Sequence, residues 1–205
     1  NNCEEAGFGE IRRMNADGSG METFAKGVRH SVGLTFHPET GHLWFTENGK
    51  DLMGDDIPAD ELNHAPQAGM HFGAPYCHQG DLLDNEFGHG KSCDDYTPPT
   101  AKLVAHGAAL GLAFYTGAMF PPEYKNRLFI VQHGSWDRAQ KVGYQILALE
   151  VLPDGKVVNE TIFASGWKQG EEVLGRPSDV LVMPDGALLV ADDRANVIYR
   201  ISYTK

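Results

Sequence analysis

Apolar and polar positions alternate along most of this chain, and they do so in short bursts. In the last nineteen residues, ALLVADDRANVIYRISYTK, Val197, Tyr199, Ile201 and Tyr203 alternate with Ile198, Arg200 and Ser202. That period of two, with DDRAN as a turn after ALLVA, reads as a β-hairpin. Similar pieces recur upstream: IRRMNADGSG, METFAKG, VGLTFHP, HLWFTEN, LGLAFYTG, RLFIVQHG, YQILALEVL, ETIFASG and DVLVMPDG. The 24 Gly and 11 Pro cut every other stretch to eleven residues or fewer. The fold class is therefore all-β.

Two distant stretches also match each other in order. Asp17-Gly18 corresponds to Asp154-Gly155, ETFAKG to ETIFASG, Pro38 to Pro184 and Leu43 to Leu188, while LGLAFYTGAMFPPEYKNRLFIVQHG gives a looser third copy. Recurrence of one strand-turn-strand unit in a Gly-rich β sequence is the signature of a propeller, each copy being a blade. A meandering β-sandwich with similar turns is the alternative, and the shared order favours the propeller. The chain holds roughly three to three and a half units, whereas closed propellers use about four to eight blades. Residues 1–205 are thus expected to form the C-terminal part of a single propeller domain. Missing N-terminal blades or a second chain would be needed to close the ring.

Composition narrows the function. Seventeen basic residues against 28 acidic ones give a formal charge of −11, which repels phosphate backbones and anionic lipid, so neither nucleic acid nor a membrane surface is an expected partner. No apolar run approaches the ~20 residues that span a bilayer. No G-x-S-x-G elbow, Walker loop or H-E-x-x-H motif occurs, and Ala74 ahead of Cys77-His78 excludes a c-type haem motif.

The acidic stretch that follows HLWFTEN is the most unusual feature. Asp51, Asp55, Asp56, Asp60 and Glu61 fall within eleven residues, an arrangement suited either to a solvated flap or to a metal site. We treat residues 50–100 as an acidic insertion. Within it, Cys77 and Cys93 bracket the polar loop HQGDLLDNEFGHGKS; a disulfide would hold that loop, with two reduced buried thiols as the alternative. A disulfide implies a periplasmic or secreted protein, with its signal peptide not in this chain. Cys3 is left over.

Taken together, GVRHSVGLTFHPETGHLWFTENGKDLMGDDIPADELN, FGAPYCHQG, LGLAFYTGAMFPPEYKNRLFIVQHGSWDR and GRPSDVLVMPDGALLVADDRANVIYRIS resemble the soluble quinoprotein sugar dehydrogenases, in particular the L-sorbosone and aldose dehydrogenase branch. The resemblance implies a six-bladed propeller carrying pyrroloquinoline quinone (PQQ) and calcium, which oxidises aldose sugars and passes electrons to an external acceptor. It implies that Arg29, His30 and Arg176 contact the quinone, His30 standing where Asn is usual. Guanidinium forks suit a cofactor bearing three carboxylates. Ser178 stands where some relatives have a second arginine, and Arg138 is a candidate to compensate.

The resemblance also implies two calcium sites. The Gly49 and Lys50 backbone carbonyls would hold the calcium against the quinone, Lys50 replacing a Pro found in several relatives. Glu61, the Phe72 carbonyl, Asp81 and Asp94 or Asp95 would form a structural site, with Asp55 and Asp56 left solvated. The family's catalytic histidine is expected upstream of this chain, so no catalytic residue is assigned here. His106 and His133 read either as substrate contacts or as satisfied turn residues, and Trp44 and Trp136 as packing residues. Two rival functions are a calcium-dependent propeller lactonase, which needs no quinone, and a propeller used only for binding.

Overall fold

Alternation places successive side chains on opposite faces of a strand, and in this protein both faces of most inner strands are buried. The computed structural model describes residues 7–152 and 154–204; Cys3 lies outside them. β1 (Glu10–Arg13) and β2 (Glu22–Lys26) pair antiparallel across the Asp17-Gly18 turn. β3 (Leu34–Phe36), β4 (Leu43–Glu47) and β5 (Asp60–Ala65) form the next antiparallel sheet. The two-residue strands β6 (Met70–His71), β7 (Cys77–His78) and β8 (Leu82–Leu83) follow, β6 joining β2 in parallel and β7 pairing with β8. β9 (Ala101–Leu103) then returns to the open side of β5.

β10 (Ala109–Phe114), β11 (Leu128–Gln132), β12 (Gln145–Val151) and β13 (Val157–Ala164) make a four-stranded meander. After the small hairpin of β14 (Lys168–Gln169) and β15 (Glu172–Val173), the sheet of β16 (Pro177–Val182), β17 (Leu188–Asp192) and β18 (Val197–Ile201) ends the chain's regular structure. Consecutive sheets pack face to face, with β10 lying against β16 on one side and β3 and β4 on the other. These are the blades of a partial β-propeller. The matched repeats occupy equivalent places: Asp17-Gly18 and Asp154-Gly155 turn between β1 and β2 and between β12 and β13, while Pro38 and Pro184 follow β3 and β16. Gly18 and Gly155 adopt φ values of 85° and 89°, a backbone state that glycine enters at no steric cost.

Three apolar layers lie between the blades. On β11, Phe129 and Val131 face one layer with Tyr115, Ile146 and Leu188. Leu128 and Ile130 face the next, with Trp44, Leu62 and Leu147. Phe45 turns the other way, to Ala25, Val28 and Phe72. A one-residue slip of β11 would exchange the two layers.

The structure corrects two expectations. The acidic insertion 50–100 is not continuous: Asp60–Ala65 is an internal strand of its sheet, and Asp60 and Glu61 are 1% and 6% exposed. Asp, Glu and Asn weaken the strand signal of DELNHA, but pairing with β4 and β9 overrides it. Trp44 packs in the core as expected, whereas Trp136 is 68% exposed. The Cys77–Cys93 disulfide is present, with Cα atoms 5.5 Å apart. The buried carboxylate of Asp84 organises the loop it closes, accepting from Lys50 Nζ at 2.7 Å, His78 Nε2 at 2.8 Å and the amides of Glu86 and Phe87.

One histidine ties two blades together. His64 on β5 stacks on Trp44 with centroids 4.4 Å apart, meets His42 Nδ1 at 3.0 Å, and lies under the β12–β13 turn at Gly155. Burial and the neighbouring His42 push its pKa down to about 4. The unfolded chain takes up this proton near the ordinary value of 6.5, while the folded chain stays neutral down to about 4. Stability should therefore fall as pH drops from 6.5 to about 4. His64→Gln is expected to flatten that part of the profile in urea denaturation, and an unchanged slope would contradict this role.

Candidate functional site

In an antiparallel meander, the starts of the first strands and the ends of the second strands lie on the same edge. Arg29 precedes β3, Gly49 follows β4, His106 precedes β10, His133 follows β11 and Arg176 precedes β16. All five line one open cavity of about 300 Å³. His30 and Trp136 complete its rim. Residues up to 147 apart in sequence thus share a cleft.

Arg29 is held from several sides. Its guanidinium donates to the carbonyls of Asn48 at 3.1 Å and Gly49 at 2.9 Å, and pairs with Asp51 at 3.2 Å. The amides of Arg29 and His30 both donate to Glu47 Oε1, at 2.7 and 2.6 Å, and Ser31 Oγ donates to Glu47 Oε2 at 2.7 Å. Burial pushes the Glu47 carboxyl up to about 7, against these hydrogen bonds and with a contribution from Glu61. The two glutamates are directly opposite in the β4–β5 ladder.

Asp60 fastens the Gly49 turn. Its Oδ1 accepts the Gly49 amide at 2.9 Å and its Oδ2 the Ala109 amide at 3.2 Å, linking two blades. Burial raises the Asp60 carboxyl above the ordinary value despite these donors. A Cβ on Gly49 would come within 2.9 Å of the Pro58 carbonyl and 3.1 Å of the Ala59 carbonyl, so glycine is required by close approach.

Arg176 reaches from the last sheet toward its neighbour. Its amide donates to Asp192 at 2.9 Å, its guanidinium donates to the carbonyls of His133 and Gly134, and it lies 5.8 Å from the Tyr144 ring centroid. His133 pairs with Asp193 at 3.0 Å, which lowers the Asp193 carboxyl. Arg138 stands outside the cavity, bound to the Asp55 carbonyl and the Asp56 carboxylate. Ser178 is also outside it. Asp55 accepts the Ala139 amide, so the exposed acids anchor their own loop.

The predicted calcium ligands divide into two groups. Lys50 turns its ammonium away from the Gly49 turn to the buried Asp84, which Lys50, His78 and two amides hold below the usual carboxylate range against the effect of burial. Its side chain is thereby removed from the place where its carbonyl would be used. Glu61 and Phe72 border a small cavity together with Glu47 and Arg29. Asp81, Asp94 and Asp95 do not join them: Asp81 is exposed and pairs with Lys102 at 2.5 Å, and Asp94 and Asp95 are exposed on the turn at Cys93–Asp95. The expected structural set of Glu61, Phe72, Asp81 and Asp94 or Asp95 is therefore not assembled, and Glu47 is the second carboxylate at this cavity. Both acids were visible in sequence, but only their cross-strand register pairs them.

Deleting the Asp60 carboxylate strands at least two amide donors in a buried place, each costing ~1–3 kcal/mol. Asp60→Ala is expected to lose roughly 3 kcal/mol or more in urea denaturation; a loss below about 1 kcal/mol would contradict the bridging role.

Comparison with known proteins agrees with this architecture. An uncharacterized protein of Borreliella burgdorferi is 41% identical over 199 residues, covering 95% of this chain and 52% of that protein. Among solved structures, the iodide structure of the Trichoderma reesei Carbohydrate-Active Enzymes Family AA12 superposes with a TM-score of 0.79 at 21% identity, over 97% of this chain and 60% of that one. The holo pyranose dehydrogenase PQQ domain of Coprinopsis cinerea gives 0.76 at 20% identity, over 98% and 63%. The apo soluble aldose sugar dehydrogenase of Escherichia coli gives 0.63 at 22% identity, over 95% and 54%. The chain spans about half the length of the curated relative it matches, and its fold is part of a β-propeller. The family model for Glucose / Sorbosone dehydrogenase matches residues 8–200, and the chain belongs to that family.

Proposed function

We propose that this chain is the C-terminal part of a PQQ- and calcium-dependent dehydrogenase of aldose sugars or sorbosone-like aldehydes. The observation that carries the reading is the convergence of Arg29 and Arg176 on one cleft whose wall includes Gly49. Two guanidinium groups provide for a polycarboxylate anion what a lactonase, with its metal ringed by carboxylates and Asn, would not require. A propeller used only for binding would need neither arginine.

In this reading Arg29 and Arg176 bind the carboxylates of the quinone, and His30 lies alongside as a polar rim. The Gly49 and Lys50 carbonyls would hold calcium, an ion that takes oxygen ligands in loose geometry. Gly49's carbonyl already faces the Arg29 guanidinium, so it is turned toward positive charge. The bound quinone would supply hydride acceptance. What this chain's own residues do is orient the cofactor and exclude water from one side of it. The general base is assigned to the part of the protein outside this chain, as are further contacts to the sugar and the external electron acceptor. A second calcium at the small cavity beside Glu61 would be held by Glu61, Glu47 and the Phe72 carbonyl. The disulfide supports a periplasmic or secreted location, and among the described residues no helix is long and apolar enough to cross a membrane.

Titrating the apo protein with PQQ in calcium and following the cofactor's absorption should show saturable binding. Each charge-assisted hydrogen bond is worth ~1.5–3 kcal/mol, so Arg29→Ala and Arg176→Ala should each weaken binding by roughly ten- to a hundredfold. Arg138→Ala should leave it nearly unchanged. Absence of saturable binding by the wild type would overturn the reading.

Calcium that binds only the folded state stabilises it by mass action. Chelation is expected to lower the melting temperature of the wild type, and Glu61→Gln to abolish that difference. Identical wild-type melting curves in chelator and in excess calcium would exclude the structural site.

A further inference from the structure

Three side chains not used above as quinone or calcium ligands meet beside the cleft, two of them, Asp51 and His106, in its lining. Asp51 comes from the β4–β5 loop, His106 from the turn before β10 and Asp137 from the β11–β12 loop. One ring nitrogen and one oxygen of each carboxylate lie within 4.8 Å of one another. No other such cluster of His, Cys, Asp or Glu occurs among the described residues.

His106 is the informative member. It is 6% exposed, and its Nε2 faces the carbonyls of Gly54 at 2.8 Å and Ile57 at 3.1 Å. Carbonyls only accept, so Nε2 carries a proton, and in the neutral imidazole the lone pair is then on Nδ1. Among the described residues no protein group donates to Nδ1. An imidazole oriented by a carbonyl on one nitrogen and left open on the other is the arrangement of a metal ligand. Asp51 uses Oδ2 for Arg29, and Asp137 uses Oδ2 for the Leu52 amide at 2.6 Å, so each retains an oxygen. Two carboxylates held this close repel each other, and among the described residues Arg29 offsets the charge of Asp51 alone.

We propose that Asp51, His106 and Asp137 bind a first-row divalent transition metal of the zinc class. One imidazole with two carboxylates is a mixed nitrogen and oxygen set that such ions accept. Calcium prefers six to eight oxygens and is disfavoured here. Three protein ligands are one fewer than a tetrahedral ion takes, and the metal would tie together three loops from two blades. The inference does not depend on the quinone reading, because none of the three residues is assigned to the quinone or to calcium.

The test uses the chain stripped of metal by chelation and kept free of quinone. Cobalt(II) is titrated as a visible probe and zinc by calorimetry. The expected result is one bound ion per chain, displaced from cobalt by zinc. His106→Ala and Asp137→Asn should each weaken it by at least about tenfold, and Glu123→Gln, an exposed acid outside the cluster, should not. Absence of a cobalt spectrum and of zinc heat, equal affinity in the Asp137→Asn variant, or displacement by equimolar calcium would each overturn the proposal. Asp137 is partly exposed, so its variant decides the matter even where His106→Ala fails to fold.

Discussion

The buried Asp60 carboxylate joins two blades at the point where the cleft opens. One oxygen takes the Gly49 amide and the other the Ala109 amide, so the turn after β4 and the first residue of β10 cannot separate without leaving donors unsatisfied. Gly49 in turn presents its carbonyl to Arg29. The position of the first guanidinium thus depends on a carboxylate on a different strand, and burial, which raises that carboxyl, is opposed by the amides it accepts.

A second buried acid acts on the other side of Arg29. Glu47 takes the Arg29 and His30 amides and the Ser31 hydroxyl, fixing the backbone that aims both side chains. Its register partner is Glu61. Two acids opposed in a ladder and removed from water form an unstable pair unless a proton or a cation is shared near them. Arg29 lines the small cavity that both border and sets a positive charge beside them, and the same cavity separates Glu61 from the exposed acids that sequence proximity suggested.

Arg176 is held differently. It leans on the carbonyls of His133 and Gly134 and on the Tyr144 ring, so its anchor is the adjacent blade. The cleft is therefore assembled by contacts between blades, and its shape follows from how the apolar layers seat one sheet on the next. Two of those three layers are built around β11 and β12, whose two faces serve different neighbours.

Much of the framework was legible in the amino-acid sequence, because a period of two and glycine at left-handed turns are local properties. The hairpin at ALLVADDRANVIYRIS, the repeat of Asp17-Gly18 as Asp154-Gly155 and the burial of Trp44 all follow from neighbouring residues. Arg29, Gly49 and Arg176, which line the cleft, were legible as candidate site residues only through resemblance to a family, since nothing local distinguishes them from surface positions. Tertiary structure alone decided the rest. DELNHA became a strand because β4 and β9 supply its hydrogen bonds, Arg138 was taken by Asp55 and Asp56, Trp136 was left exposed, and Asp51, His106 and Asp137 were brought together. Each of these outcomes depends on which blade edge meets which loop, a long-range pairing that periodicity does not encode.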